Sequence, residues 1–199
     1  MVKCIDDNVG KILDALRAAG LLEKTMIVFT SDHGDMCGEH GRYNKGIPLE
    51  GSARIPLVLY CPGTIRPRTV VHEALATVDF KPTILGLMGV ASDGGDEGRN
   101  AAALFVAGKA PPGWNNVAVS RHANGGWLMA TSSRYKFIVS ADSDPCLFDL
   151  DQDPFEMRNL FPLASSRETV RELARALLAR TRVSGRSTAP SGSLSTLMA

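Results

Sequence analysis

Two residues that can bind a metal ion stand side by side directly after an apolar segment. The stretch "FTSDHGDMCGEHGRYNKG", residues 29–46, contains Asp32 next to His33. Neighbouring side chains on a continuing strand point to opposite faces, so both can reach one ion only after the chain has left the strand, and Gly34 supplies a permissive backbone for that turn. A carboxylate oxygen and an imidazole nitrogen then provide two ligands for a divalent cation. The other ligands must come from elsewhere.

Two further residues of the same stretch can act on an anion. Lys45 lies thirteen positions after Asp32 and can bring a point positive charge back over the end of the same strand. His40 lies between them. The spacing is equally compatible with a solvated loop in which Asp32 caps the next turn, and it leaves both interpretations open.

The elements around this stretch predict an open α/β sheet. "TMIVFT" and "RIPLVLYCPG" are apolar runs typical of strands, the first of the kind found in buried parallel sheets. A helix is predicted to begin near Lys81 and Pro82, since proline fits the first turn of a helix. Ligands of such sheets bind at the carboxyl ends of strands, where residues 29–46 lie. An earlier helix, predicted to stop at Gly20, is indicated by apolar residues at helical spacing: Ile5, Val9, Ile12, Leu13 and Leu16.

The pattern changes after residue 91. Glycine and proline mark residues 92–113 as a linker with one short helix. Four short runs without a helix between them, "NVAVS", "GWLMATS", "YKFIVS" and "CLFDL", predict an antiparallel sheet. A helix is predicted from a capping box of Ser165 and Glu168, with one apolar face: Val170, Leu173, Ala174, Leu177 and Leu178.

These patterns divide the chain into three parts and a tail. Residues 1–91 are predicted to be an incomplete α/β core, and residues 114–183 a small subdomain of antiparallel sheet plus helix, joined by the linker. Residues 184–199 contain few large apolar side chains and are predicted to be disordered. The first residues already have a helical pattern without a cap, which predicts that the chain is the later part of a longer protein.

Composition excludes several classes of function. The formal net charge of +1 leaves no basic surface for nucleic acid, and no apolar run approaches the roughly 20 residues of a membrane-spanning helix. The four cysteines are scattered, without a zinc-site spacing or a disulfide framework. No HEXXH, P-loop or GxSxG motif is present.

The segment from Ile5 to Gly46 resembles the sulfatase family of the alkaline phosphatase-like superfamily. "EGSARIPLVLYCPG" and "VDFKPTILGLMGV" continue the resemblance, and "YKFIVSADSDPCLFDLDQDPFEMRNL" resembles the family's C-terminal subdomain. The resemblance covers roughly residues 3–180. It implies the C-terminal part of a doubly wound α/β sheet, followed by a small α+β subdomain with an antiparallel sheet and a C-terminal helix.

The family resemblance also implies a chemistry. Sulfate esters of small molecules or glycans are hydrolysed through a formylglycine nucleophile, with a divalent metal, usually Ca²⁺, although Mn²⁺ or Mg²⁺ also suit such ligands. By position, Asp32 and His33 would be metal ligands, and Lys45 and His40 would contact the substrate. A transferring group with several anionic oxygens is best stabilised by positive charge placed in advance.

The sequence departs from the family at the nucleophile. The family motif is Cys or Ser, any residue, Pro, any residue, Arg, and none of the four cysteines begins it. Ser143 is followed correctly by Pro145, but Leu147 stands where the motif requires arginine. No catalytic residue is therefore assigned, and the formylglycine is expected only in an N-terminal half outside this chain. The alternatives are a phosphonate or phosphate monoester hydrolase of the same superfamily, or a non-catalytic truncated remnant.

Overall fold

The structure is a computed structural model, and it describes residues 1–183; the predicted disordered tail lies outside the described residues. Two groups of elements follow one another along the chain: the first runs from α1 to α4 and includes β1 and β2, and the second runs from β3 to α5. The helices are α1 (Val2–Ala18), α2 (Glu50–Ala53), α3 (Phe80–Leu87), α4 (Ala102–Ala107) and α5 (Arg167–Val183). The strands are β1 (Ile27–Thr30), β2 (Leu57–Tyr60), β3 (Ala118–Arg121), β4 (Trp127–Thr131), β5 (Tyr135–Ser140) and β6 (Cys146–Asp149).

Helix α1 forms where its apolar spacing predicts it and ends as predicted near Gly20. Gly20 has a φ of 66°, a left-handed conformation that glycine adopts without steric cost. The Leu21 N–H closes the end by donating to the Leu16 carbonyl at 2.9 Å. None of the residues of α1 is buried, however, and Ile12 remains 61% exposed. The apolar stripe of α1 therefore packs against little of the described chain.

Strands β1 and β2 form where apolar runs predict strands, but the predicted parallel arrangement is wrong for this pair. They pair antiparallel, with Ile27 opposite Tyr60 and Thr30 opposite Leu57. A parallel neighbour needs a crossover, usually a long helix, and the connection between β1 and β2 contains only a short 3₁₀ turn and the four residues of α2. Part of this pair is exposed within residues 1–183, where Val58 is 59% exposed.

Helices α3 and α4 form a small core under one face of the strand pair. Leu87 of α3 packs with Leu104 and Phe105 of α4, and Leu59 of β2 lies against this cluster. The predicted short helix of residues 92–113 is therefore α4, and its buried side chains belong to a core. The predicted division into a core, a linker and a subdomain stays a prediction.

Strands β3 to β6 form a four-stranded antiparallel sheet in sequential order, as the sequence predicts. Alternation along the strands gives the sheet two covered faces. One face packs against α5, where Phe137 and Val139 meet Leu173 and Leu177. Helix α5 begins at Arg167 after a 3₁₀ turn, Ala164–Ser166, two residues beyond the predicted cap.

The opposite face of this sheet packs against the first group of elements. Ile138 and Phe148 form a cluster with Leu49 and Ala53, on and next to α2. The long segment between β1 and β2 therefore rests on the antiparallel sheet. Within residues 1–183, no helix is both long and apolar enough to cross a membrane.

Candidate functional site

The segment after β1, residues 31–53, folds back on itself through backbone hydrogen bonds. The Gly34 N–H donates to the Ser52 carbonyl at 2.9 Å, and the Met36 N–H donates to the Asn44 carbonyl at 2.9 Å. Met36 is fully buried in the fold of this segment. We call residues 31–53 the site loop.

Gly34 is required by close contact rather than by a special turn. It is not among the residues with a positive φ, so the sequence-based reason, a permissive backbone for the turn, is not the one the structure supplies. A Cβ at Gly34 would lie 2.1 Å from the Gly51 carbonyl oxygen. Only glycine lets the two sides of the site loop approach this closely.

Asp32 and His33 come together at the start of the site loop. The Asp32 Oδ2 atom lies 3.4 Å from His33 Nε2, and Asp32 Oδ1 accepts a hydrogen bond from the His33 backbone N–H at 3.0 Å. The Asp32 side chain is 84% exposed and that of His33 is 39% exposed. One carboxylate oxygen and one ring nitrogen therefore lie side by side at an accessible position.

The tautomer of His33 follows from its second ring nitrogen. Nδ1 lies 2.8 Å from the Gly34 carbonyl oxygen, and a carbonyl can only accept, so Nδ1 carries the proton. In the neutral ring, the lone pair of Nε2 is then free on the side of Asp32. This is the arrangement that orients a metal-binding histidine, whose other nitrogen donates to a carbonyl or carboxylate.

The charges around Asp32 favour its ionised form. Partial desolvation raises the pKa of Asp32, but the His33 ring, the backbone N–H groups of Asp32 and His33, and the charge of Lys45 together lower it below its ordinary value. Lys45 is therefore within the range over which its charge acts on Asp32, although thirteen positions separate the two residues.

Asp32 and His33 fit a metal site but do not complete one. A Ca²⁺ ion takes six to eight oxygen ligands, and Mg²⁺ about six. Within residues 1–183, no group of three or more His, Cys, Asp or Glu side chains is placed to hold a metal ion. The chemistry of the pair, an anionic oxygen and an unprotonated imidazole nitrogen, suits a divalent cation that has other ligands as well.

His40 hydrogen-bonds to a part of the protein that the hydrogen bonds of Asp32 and His33 do not reach within residues 1–183. Its backbone is left-handed, with a φ of 52°, and its Nε2 atom lies 2.9 Å from the Phe155 carbonyl oxygen. Since a carbonyl only accepts, Nε2 donates there. His40 thus contacts the segment after β6, and only its Nδ1 atom remains for another ligand.

Three residues that sequence reasoning does not assign to the site, Trp127, Lys136 and Glu156, hold the site loop in place. Their partners are distant in sequence: Trp127 and Gly46 are 81 residues apart, and Glu156 and Glu50 are 106 apart. Helical spacing suggests only a scaffold pair of Glu50 with Arg54, which lie 3.8 Å apart, but Glu50 also pairs with Lys136. No local spacing signals such contacts.

An open cavity of about 1090 Å³ lies beside Asp32. It runs between the β1–β2 pair and the antiparallel sheet, and the polar side chains of Arg54, Ser132 and Asp151 are among its lining. Its volume lies slightly above the usual range of about 300–1,000 Å³ for small-molecule sites. The cavity has room for a small-molecule ligand next to Asp32.

Comparison with known proteins identifies the family. Residues 1–90 match the sulfatase family model. Arylsulfatase K of Danio rerio is 35% identical over 167 residues, which is 78% of this chain and 31% of the relative. Arylsulfatase of Clostridium perfringens is 31% identical over 181 residues, covering 87% of this chain and 37% of the relative. The chain thus spans about a third of the length of these curated relatives.

Solved structures agree with the sequence matches. A protein in complex with its substrate, D-glucosamine-2-N,6-O-disulfate, matches with a TM-score of 0.79 and 27% identity, over 91% of this chain and 39% of that one. The phosphonate monoester hydrolase of Agrobacterium radiobacter matches with a TM-score of 0.75 and 28% identity, over 92% and 40%.

The fold and the matches define a protein of the alkaline phosphatase-like superfamily, with the predicted C-terminal arrangement of antiparallel sheet and helix. The chain belongs to the sulfatase family. Sulfatases are sulfuric ester hydrolases, and the family uses a divalent metal. The family assignment made from residues 3–180 is thus confirmed.

Proposed function

We propose that this chain supplies part of the metal site and the sulfate contact of a sulfatase, whose nucleophile is carried by residues outside the chain. The observation that carries the proposal is the convergence of Asp32 Oδ2 and His33 Nε2 at 3.4 Å, with Nδ1 of His33 engaged by a carbonyl and the positive charge of Lys45 acting on Asp32. The reaction is hydrolysis of a sulfate ester.

Each residue has a role that its geometry suits. Asp32 and the Nε2 lone pair of His33 would hold the divalent metal, most simply Ca²⁺, with Mn²⁺ and Mg²⁺ as alternatives. The metal, when bound, supplies a fixed positive charge for the sulfate oxygens. Lys45 adds a second positive charge, and Lys45 suits this role because its ammonium group is exposed and carried on a flexible stem. For His40 the proposed substrate contact would use Nδ1, since Nε2 already has a partner.

The substrate class we propose is a sulfated sugar. The support comes from the structural neighbour whose substrate is a disulfated glucosamine, and from the cavity of about 1090 Å³ beside Asp32. A cavity of this size has room for a sugar, whose hydroxyl groups can hydrogen-bond to polar side chains of the walls. Serine and arginine side chains provide those partners here.

A metal-binding experiment tests the first half of the proposal. Paramagnetic Mn²⁺ added to the chain should broaden the amide NMR signals of residues 31–35 first, with weak affinity because only two ligands are present. Asp32→Asn should weaken the effect at least about tenfold, since it removes the charged ligand. The control is Asp142→Asn, which changes an exposed carboxylate in the turn between β5 and β6. Equal broadening in both variants, or broadening centred elsewhere, would contradict the site.

An activity experiment tests the second half. The chain alone should not turn over 4-nitrophenyl sulfate, because it contains no Cys or Ser nucleophile motif. Turnover by the purified chain that Lys45→Ala abolishes would overturn the assignment of the nucleophile to residues outside it. In an active preparation that includes those residues, Lys45→Ala should lower kcat/KM by about 10²-fold or more, as loss of a charge acting on the transition state does.

A second candidate is hydrolysis of phosphonate or phosphate monoesters. It is favoured by the match to the phosphonate monoester hydrolase, which is as similar in fold as several sulfatases. Comparing kcat/KM for 4-nitrophenyl sulfate and 4-nitrophenyl phenylphosphonate in the same active preparation separates the two. Preference for the phosphonate would favour this candidate.

A further inference from the structure

The site loop is attached to the later part of the chain on both sides of Lys45. The Trp127 indole N–H at the start of β4 donates to the Gly46 carbonyl at 2.9 Å, and Gly46 follows Lys45 directly. On the other side, His40 donates from Nε2 to the Phe155 carbonyl at 2.9 Å. The backbone around Lys45 therefore lies between two contacts with the later part of the chain.

A buried ion cluster attaches the end of the site loop to the same sheet. The Lys136 Nζ atom on β5 lies 2.5 Å from Glu50 Oε1 and 2.8 Å from Glu156 Oε1. The Lys136 side chain is fully buried, and that of Glu156 is 2% exposed. The other carboxylate oxygen of Glu156 accepts from the Glu50 backbone N–H at 2.6 Å.

This cluster specifies a position rather than merely adding stability. Burying three charged groups is costly, and well-packed apolar residues would often stabilise a fold equally well or better. Glu156 also has a left-handed backbone, with a φ of 55°, which is unfavourable for a residue with a Cβ. The ion pairs of Lys136 join Glu50 of α2 to β5, and directional contacts of this kind can fix the position of one element on another.

We propose that Trp127, Lys136 and Glu156 are positioning residues. Through their contacts with the site loop, the antiparallel sheet and the segment after it fix the position of Lys45. Lys45 is exposed and has glycine after it, so its backbone has freedom that anion binding must remove. The Trp127–Gly46 hydrogen bond and the ion cluster at Glu50 remove that freedom before an anion binds. They lie on either side of residues 47–49. The sheet thus belongs to the anion site, although none of its strands supplies the charge. This inference rests on the proposed role of Lys45.

The test is a matched pair of tryptophan variants of the whole chain. Trp127→Phe keeps an aromatic ring and removes the N–H that holds Gly46. Trp114→Phe makes the same chemical change at a tryptophan whose indole nitrogen has no hydrogen-bond partner within residues 1–183 and which packs under Arg99. The probe is sodium sulfate, titrated by NMR at constant ionic strength with Ca²⁺ present, and hydrogen exchange of residues 42–48 is measured in parallel.

Trp127→Phe should raise the sulfate Kd by about three- to tenfold, the range expected for loss of one hydrogen bond, and should speed exchange of residues 42–48. Trp114→Phe should leave both at the wild-type value. Melting temperatures check that neither variant unfolds. A Trp127→Phe protein with wild-type sulfate affinity, or with exchange equal to that of Trp114→Phe, overturns the inference.

If the proposed function is wrong, the same experiment gives a different result. If the wild-type chain binds no sulfate near Lys45, the proposed role of Lys45 is wrong, and the exchange measurement alone decides whether Trp127 positions the segment. Lys136→Met adds a second variant with similar stem length and no charge. It should raise the sulfate Kd and shift the amide signals of residues 44–50 in the folded protein, and a folded Lys136→Met protein with unchanged signals there would contradict the role of the cluster.

Discussion

Asp79 is a buried carboxylate that ties together three stretches of the first group of elements. Its Oδ2 atom lies 2.6 Å from Arg99 Nη2, and Oδ1 accepts from the Arg99 backbone N–H at 2.7 Å. Arg99 also donates to the Ala74 carbonyl at 3.0 Å, and its guanidinium lies 4.2 Å from the centre of the Trp114 ring. Burial raises the pKa of Asp79, but the hydrogen bonds and charge of Arg99 outweigh it and lower the pKa below the ordinary value of 3.8.

The lowered pKa of Asp79 predicts a pH dependence of stability. Because the native pKa is lower than the unfolded one, the Asp79 contribution is fully present above about pH 4 and is lost as the pH falls through the native pKa. Asp79→Asn should reduce the free energy of unfolding at pH 7 by about 1–3 kcal/mol. The difference in free energy of unfolding between Asp79→Asn and the wild type should become smaller at acid pH. Urea unfolding at pH 7, 5 and 3 measures this, and the exposed Asp142→Asn should show no such convergence.

The two sides of the site loop pack together through close backbone contact. Gly34 and Gly51 bring the two sides of the loop together, since a Cβ on Gly34 would meet the Gly51 carbonyl. Gly10, in the middle of α1, is surrounded by open space, and a Cβ there would have no neighbouring atom within 4 Å. Replacing glycine by alanine is therefore expected to have opposite effects on stability in the site loop and in α1.

Gly34→Ala should destabilise the protein by about 1–3 kcal/mol, because the methyl group forces the loop apart. It should also shift the amide signals of Asp32 and His33. Gly10→Ala should instead stabilise the protein by about 0.5–1 kcal/mol, since alanine is the better helix former. Denaturant midpoints and NMR spectra of both variants check this. A Gly34→Ala protein with wild-type stability would mean that the close approach at Gly51 is not required.

At the scale of the whole molecule, the two longest helices differ in what covers them. Both α1 and α5 have 17 residues and an apolar stripe. None of the residues of α1 is buried, whereas Val170, Leu173, Ala174 and Leu177 of α5 pack into the largest cluster. Isolated helices of this length are marginal in water, and packing supplies most of their stability.

Hydrogen exchange should therefore be unequal along the chain. Amides of α1 should exchange at least about tenfold faster than those of α5 within residues 167–180, because local opening of α1 exposes little new apolar surface. Strands β4 and β5 should exchange slowly with α5. Mass spectrometry on the intact chain measures these rates. Equal protection of α1 and α5 would show that α1 is covered by a neighbour, such as another copy of the chain, and dilution would then restore fast exchange.

Local patterns in the sequence determined much of this protein. Short apolar runs separated by turns predict β4, β5 and β6 to within about one residue, and helical spacing predicts α1 and the buried face of α5. The adjacency of Asp32 and His33 left a metal site and a solvated loop both open, and only the family resemblance favoured the metal site. The predicted strands and helices depend on residues one to four positions apart, and side-chain periodicity reports such short distances directly.

Only the tertiary structure decided the direction of β2 against β1 and the partners of the site loop. Trp127 reaches Gly46 across 81 residues, and His40 reaches Phe155 across 115. A charged residue in a strand, such as Lys136, has the sequence pattern of a surface position, yet it is fully buried between two carboxylates. Such contacts depend on which faces meet after folding, and no local spacing carries that information because the partners are brought together by packing of whole elements.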